Sequence, residues 1–367
     1  MSAPDRLRDP SSPAMTLRNV DPRRVRAAGF TLIELMIGTT LTLVVILALA
    51  ALFTNNSMAR REIDNAGQQV ENGRYAMQLI RDDVRLAGYY GEFIAPWNGI
   101  TWQLPANPCD PTLANLGWDA ANKQIPVPIS GFEGHDAAIA ALSPQCIANR
   151  VPNSDVLVVR RVSTTASAPP PATASTPFLQ VSLQTPMCPS AEAAFVFDVV
   201  GSPSPFTLRR KDCATAASVR QYFVHVYYIS TCDDCTSNDH IPTLKRVELG
   251  AGTMTTVSLA QGIADMRVDY GLDTGSDGAP DVYRKCGATS TYTGPCTASD
   301  WANVMTVKVH LLTRNLEATP GYADTKSYEM GLSGTLPAFG ELERKYKHHV
   351  YASPIRVIGP SEQREIP

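Results

Sequence analysis

The sequence lacks the features that would mark an enzyme or a nucleic-acid-binding protein at first sight. Its net charge is only −3, so no strong positive field would draw it to nucleic acid. It contains no Gly-x-Ser-x-Gly motif, no His-Glu-x-x-His motif and no phosphate-binding loop. Its six histidines are scattered, and His225 and His310 fall in predicted strands. We therefore expect neither a catalytic site nor a nucleic-acid partner.

Cysteine is missing from the first 108 residues, although the chain has eight cysteines in all. An even number of cysteines confined to one part of a chain is typical of disulfides formed in an oxidising compartment. Eight cysteines allow 105 pairings, so the sequence does not give the connectivity. The disulfide candidates are Cys109, Cys146, Cys188, Cys213, Cys232, Cys235, Cys286 and Cys296.

Charge is nearly absent from residues 30–53, the apolar segment, in which Glu34 is the only charged residue. As a helix these residues would be about 36 Å long, enough to cross a hydrocarbon core of about 30 Å with some tilt. The preceding basic residues predict a cytoplasmic N-terminus and, in a Gram-negative cell, a periplasmic C-terminal part. These basic residues are Arg18, Arg23, Arg24 and Arg26.

The apolar segment also lacks a small-residue cleavage site at its end, where it runs through Ala-Leu-Phe-Thr-Asn into further helical sequence. An ordinary secretory signal would be cut there. Cleavage before the segment, between Gly29 and Phe30, is the alternative. Met15 is a second possible start of translation, and a leader that began there would be strongly basic.

The stretch "GFTLIELMIG" resembles the N-terminal signature of type IV prepilins and the related pseudopilins. The resemblance implies that a membrane peptidase cuts after Gly29 and methylates the new N-terminus at Phe30. It also implies that Glu34 is the acid that neutralises the N-terminal amine of a neighbouring subunit and sets its register. The competing interpretation is an uncleaved signal anchor in which Glu34 reaches the membrane surface.

Small and apolar residues continue at steps of three and four after the apolar segment, which predicts one helix from Phe30 to about Ala87. Charged residues such as Asp83 are expected on its other faces. This stripe can pack on the protein's own sheet, which we prefer, or form a coiled-coil dimer. It comprises Ile63, Ala66, Val70, Gly73, Met77, Ile80, Val84 and Ala87.

Residues 70–91, "VENGRYAMQLIRDDVRLAGYYG", are similar to the PilW family of minor pilins. The pieces "VKVHLLTRNLEATPGYADTKSYEMG" and "RKYKHHVYASPIRV" near the C-terminus support this resemblance. It implies a structural subunit that helps to initiate a type IV pilus, within a tip complex of minor pilins that carries a large adhesin. Two rivals stay open: a minor pseudopilin of a type II secretion system and a signal-anchored periplasmic enzyme.

Beyond residue 91 the helical period gives way to runs rich in Val, Tyr, Phe and Ile that predict strands. These runs are 155–162, 193–200, 220–230, 243–249, 265–272, 304–312 and 348–357. We predict an α+β fold in which a long helix packs on a mostly antiparallel sheet. The Pro-rich stretch 163–177 is expected to be an exposed loop. The expected regions are a leader 1–29, a transmembrane helix 30–53, an amphipathic helix 54–91 and a β-rich domain 92–367.

Two short motifs leave more than one interpretation. "CDDC", residues 232–235, favours a local disulfide over a redox motif or a zinc site, because neither a thioredoxin-like unit nor a fourth ligand is apparent. "DTGSDGAPD" resembles a calcium loop through Asp273, Asp277 and Asp281, although position 12 is Arg284. The alternatives are a weak Ca²⁺ site, which would suit a calcium-dependent surface binder, and a solvated turn. No other cofactor is expected.

Overall fold

The computed structural model describes residues 29–91, 100–142, 146–167, 175–181, 195–201, 204–210, 212–287, 295–336 and 339–365. The leader before Gly29, Cys188 and part of the Pro-rich stretch lie outside these residues. The chain divides into two units, an N-terminal unit Met1–Ala59 and a β-rich unit Arg60–Pro367.

Helix α1 covers Leu32–Arg85, which confirms the long predicted helix. Every residue from 29 to 56 is exposed, and the mean hydropathy of an 18-residue window within the helix reaches 2.5. By length and composition α1 can therefore cross a membrane. The helix ends before Gly88, whose φ of 75° lies in the left-handed region that favours glycine at helix ends.

The buried face of α1 begins later than the sequence predicted. Three residues of the predicted stripe are exposed: Ile63, Ala66 and Val70. The prediction that they pack on the sheet was therefore wrong. Burial starts at Gln69 and continues to Ala87, and we call residues 69–87 the packed segment. Its buried members include Gly73, Ala76, Met77, Ile80, Asp83 and Val84.

Thirteen strands make up the β-rich unit as described, and the predicted antiparallel sheet is divided into more than one sheet. Short helices α2 (Ala138–Leu142) and α3 (Ala298–Ala302) lie between strands, and α4 (Ile358–Glu365) follows the last strand; 3₁₀ turns are at Leu113–Asn115, Gly331–Ser333 and Glu343–Lys345. The strands are β1 Thr101–Gln103, β2 Gln124–Pro126, β3 Ile129–Gly134, β4 Asn153–Val162, β5 Phe178–Val181, β6 Phe195–Asp198, β7 Val219–Ser230, β8 Thr243–Leu249, β9 Met254–Gln261, β10 Ile263–Leu272, β11 Val282–Arg284, β12 Val304–Arg314 and β13 His348–Arg356.

A four-stranded antiparallel sheet has the order β11-β10-β12-β13. A seven-stranded antiparallel sheet is branched at β7, which pairs with β4 along one edge and with both β5 and β8 along the other. Strand β9 extends the branch through β8, and β1 and β2 form a separate parallel pair.

Both faces of the seven-stranded sheet are buried at β4, which agrees with the continuous apolar residues 156–159 in that strand. Leu157 and Val159 point into one core, which they share with the packed segment of α1 and the four-stranded sheet. Val156 and Val158 point into a second core on the opposite face. The structure thus confirms the α+β class, with two large cores and one smaller hydrophobic cluster among the described residues of the β-rich unit.

Candidate assembly site

The start of α1 holds its acidic residue in a reciprocal cap. The Thr31 backbone N–H and hydroxyl donate to Glu34 Oε2 over 3.0 and 2.9 Å, and the Glu34 N–H donates to Thr31 Oγ1 over 3.3 Å. These contacts satisfy N–H groups that have no partner within the first helical turn. Glu34 therefore lies at the helix terminus, where a carboxylate is favoured by the helix dipole.

The predicted cleavage site immediately precedes this cap. Gly29 and Phe30 lie outside the helix and are exposed, Phe30 with 86% of its surface accessible. A peptidase could reach the bond between them without unwinding α1. Processing and methylation at these residues remain predictions.

A buried polar centre fixes the packed segment to the seven-stranded sheet. Asp83, near the C-terminal end of α1, accepts hydrogen bonds from Arg161 Nε at 2.6 Å and from the Tyr227 hydroxyl at 2.8 Å. Its other close partner is His225 Nδ1, 2.7 Å from Oδ2. The prediction that Asp83 lies away from the packed face was therefore wrong.

The electrostatics of this centre favour the charged form of Asp83. Burial by itself raises the pKa of Asp83, but the hydrogen bond from His225 and the charge of Arg161 outweigh burial and hold the pKa below its ordinary value. Three donors occupy the carboxylate, and both Asp83 and His225 are 5% exposed, so a substrate could not reach them. The centre therefore joins the helix to the sheet and has no geometry for catalysis.

Further contacts hold α1 to the four-stranded sheet. Gln69 Nε2 donates to the backbone carbonyls of Thr313 and Lys347, and Arg81 Nη2 donates to Ser353 Oγ over 2.9 Å. Gly73 brings the helix backbone so close that a Cβ atom there would overlap the Tyr351 ring. The packed segment is thus matched to strands β12 and β13 as well as to β4 and β7.

A second buried acidic group joins the two sheets to each other. Asp155 on β4 accepts hydrogen bonds from the backbone N–H groups of Gly134 and Val268, both over 2.9 Å. Lys285 Nζ lies 2.7 Å from Asp155 Oδ2 and 3.7 Å from Asp269 Oδ1. His310 is paired with Asp269 at 3.2 Å, so both strand histidines, His225 and His310, are buried beside carboxylates.

The structure pairs six of the eight cysteines within the described residues. The disulfides are Cys109–Cys146, Cys232–Cys235 and Cys286–Cys296. Cys213 is also disulfide-bonded. The Cys232–Cys235 pair is the local disulfide favoured for the "CDDC" motif, and Lys245 holds its loop by donating to the Asp233 carbonyl over 2.9 Å.

The Asp-rich loop satisfies its carboxylates from its own backbone. Asp273 accepts from the N–H groups of Ser276 and Gly278, and Asp281 accepts from those of Thr274 and Gly275. Asp277 accepts from the Ala279 N–H. Among the described residues, no group of three or more His, Cys, Asp and Glu side chains could hold a metal ion. A Ca²⁺ site in this loop remains a prediction.

Sequence reasoning missed two features that define this site, although both carried a signal. Thr31 and Glu34 have the Thr-x-x-Glu spacing of a capping box. Asp83 follows Ala76 and Ile80 at helical spacing and precedes Ala87 by four residues, so it continues an apolar stripe. A carboxylate on such a stripe signals a buried partner, but Arg161 and His225 are too distant in sequence to be identified as that partner.

Comparison with known proteins gives one match. No curated protein and no solved structure matches the chain. Residues 226–358, from the middle of β7 to the start of α4, match the family model of type IV pilus-assembly protein W, PilW. This match lies outside the N-terminal stretch that resembles the same family, and it supports that resemblance.

Proposed function

We propose that this chain is a minor pilin of the PilW type that takes part in type IV pilus assembly and helps to initiate the filament within a tip complex. The observation that carries the proposal is the match of residues 226–358 to PilW, combined with an exposed apolar segment whose only charged residue, Glu34, lies in the first turn of α1. Neither feature requires an enzymatic activity, and we propose none.

Before assembly, the apolar segment would anchor the chain in the inner membrane, with the N-terminus in the cytoplasm and the β-rich unit in the periplasm. A prepilin peptidase would remove residues 1–29 and methylate Phe30. The exposed apolar side chains would be stabilised first by lipid and then by the helices of neighbouring subunits. The chain would finally become part of a cell-surface pilus.

Glu34 gives this exchange a defined register. A carboxylate at the centre of a membrane helix costs about 2.5–3.5 kcal/mol on insertion scales, but Glu34 is close enough to the helix start to reach the interface. Cleavage would create a cationic amine at Phe30. Pairing that amine with the Glu34 carboxylate of a neighbour would neutralise both charges inside the filament.

The partners that follow are the prepilin peptidase, other minor pilins, the major pilin and a large tip adhesin. A minor pseudopilin of a type II secretion system is the second candidate, because its N-terminal signature is the same. The similarity to PilW at residues 87–91 and 226–358 favours the pilus.

Removal of the Glu34 carboxylate tests the proposal. We expect Glu34→Ala to reduce the number of surface pili strongly while the β-rich unit remains folded. Glu71→Ala is the matched control, since Glu71 is an exposed acid on the same helix. Pili would be counted by electron microscopy, and the fold would be monitored by thermal unfolding. A normal number of pili in Glu34→Ala would contradict the register role.

A strain that lacks the chain distinguishes the two candidates. The pilus proposal predicts loss of surface pili with normal secretion of folded exoproteins. Loss of secretion with normal pili would identify the chain as a pseudopilin instead.

A further inference from the structure

Strand β9 forms an open edge of the seven-stranded sheet. Among the described strands, β9 pairs with β8 alone, so its second edge has no strand partner. Its sequence, "MTTVSLAQ", contains no charged residue and no proline. Residues 255–258 are all exposed, although they belong to a regular strand.

Other sheet edges carry features that discourage pairing with a further strand. Strand β13 has two histidines, Pro354 and Arg356, and Arg81 of α1 contacts its Ser353. Strands β11 and β6 have only three and four residues. Natural proteins protect edges with charge, proline, shortness or a covering element. The exposed part of β9 has none of these among the described residues.

The open edge is also held in position before any partner arrives. Gln261, the last residue of β9, donates to Asp233 in the disulfide-closed loop 232–235 over 2.7 Å. A rigid edge loses little conformational entropy when another strand pairs with it.

We propose that β9 is a docking site for an extended, uncharged strand donated by another polypeptide. The donated strand would add to the sheet through main-chain hydrogen bonds beside residues 255–258. Its side chains would lie next to Thr255 and Val257 on one face and next to Thr256 and Ser258 on the other. These small and β-branched neighbours present no charge that could pair with an acidic or basic strand, so they select an uncharged one.

The size of the edge argues for a single strand and against a second folded copy of this chain. Eight residues of strand extend about 27 Å, and the strip is only about 5 Å wide. A stable dimer of folded proteins buries about 1,200 Å² or more, which pairing through this strip alone would not reach. A donated strand needs no such area, because its main-chain hydrogen bonds provide the affinity.

The experiment measures amide hydrogen exchange of the full chain in detergent while a capped peptide of sequence MTTVSLAQ is titrated in. This peptide represents an uncharged β-strand. We expect exchange to slow by about fivefold or more at amides within residues 255–258, because alternate N–H groups of an edge strand point outward. The same peptide with its two central residues changed to lysine and glutamate should protect these amides much less.

Two variants make the result specific to β9. Val257→Lys should abolish the protection, since a lysine on the edge disfavours pairing. Val282→Lys is the matched control: Val282 is 44% exposed on the short edge strand β11, and Val257 is 37% exposed on β9. Val282→Lys should leave the peptide effect unchanged.

Three results would overturn the proposal. The first is unchanged exchange at residues 255–258 at the highest peptide concentration that stays in solution. The second is equal protection by the charged peptide. The third is protection that appears without peptide and rises with protein concentration, which would identify a second copy of the chain as the occupant.

Discussion

Helix α1 places two kinds of sequence in one continuous element, and the two parts carry their information differently. The apolar segment is exposed along its whole length, and its proposed role is inferred from a local pattern of residues. The packed segment buries one face against both sheets, and it is held there by contacts with residues far along the chain. A local pattern can be interpreted from sequence, whereas a set of distant contacts has to be seen in the structure.

Two acidic residues of α1, Glu34 and Asp83, show this difference most clearly. Glu34 is bonded to Thr31, three residues away, and is exposed. Asp83 is bonded to Arg161, His225 and Tyr227, which are brought to it by strands β4 and β7. We expect changes at the start of α1 to affect processing and assembly, and changes in the packed segment to affect the stability of the β-rich unit.

The largest effect is expected at the cleavage site. Gly29→Arg should abolish removal of the leader. Glycine has no side chain next to the bond that the peptidase cuts, whereas arginine would place a long charged side chain there. The purified variant should keep its first 29 residues, as judged by intact mass. Gly67→Arg is the control, since a side chain at Gly67 would enter open space, with no atom within 4 Å of its Cβ. A mature mass for Gly29→Arg would contradict the processing claim.

The next effect is expected at the buried acid of the packed segment. Asp83→Asn should lower the free energy of unfolding by about 3 kcal/mol, since it leaves the Arg161 charge without its buried partner. The neighbouring Asp82 is exposed, so Asp82→Asn should change stability little. Urea unfolding of both variants measures the difference. Equal stabilities would show that the Asp83 centre does not hold the helix.

The Asp83 centre also predicts that the stability of the β-rich unit depends on pH. Because the folded-state pKa of Asp83 is depressed, its stabilising effect is complete above the unfolded-state pKa of about 3.9 and is lost as the pH falls through the folded-state value. The stability gap between the wild-type chain and Asp83→Asn should therefore be largest near pH 7 and should narrow below about pH 4. A gap that stays constant from about pH 7 to about pH 3 would rule out an ionised Asp83 as its origin.

A smaller effect separates two glycines of α1. Gly73→Ala should destabilise the β-rich unit by about 1–3 kcal/mol, because the new methyl group would overlap the Tyr351 ring. Gly67→Ala should stabilise it by about 0.5–1 kcal/mol, because it meets no neighbour and alanine favours a helix. Thermal unfolding of the two variants measures whether each change stabilises or destabilises the β-rich unit. Stabilisation by Gly73→Ala would show that the helix packs less closely than the structure indicates.

Much of the fold could be predicted because its signals are local. The long helix and the strands at 155–162, 220–230, 243–249, 265–272, 304–312 and 348–357 have strong periodicity or β-branched runs, and each corresponds to an element of the structure. Strand β9 was missed because threonine and serine interrupt its apolar residues, and strands β1 and β2 are too short to show a period.

The residues of the candidate site also differ in whether a local pattern identifies them. Gly29, Phe30 and Glu34 could be identified from one short stretch, while their processing and assembly roles remain predictions. Ile63, Ala66 and Val70 share the helical spacing of the packed segment, yet they are exposed because the buried contacts begin at Gln69. Periodicity shows which face of a helix is apolar, but it does not show where along the helix a sheet begins to cover that face.

The most direct measurement is the intact mass and N-terminal peptide map of the chain purified from its own membranes. We predict a protein that begins at N-methylated Phe30 and lacks residues 1–29. A protein that still carries residues before Phe30 would contradict the central claim that this is a processed pilin subunit, and a signal-anchored periplasmic protein would then be the better interpretation.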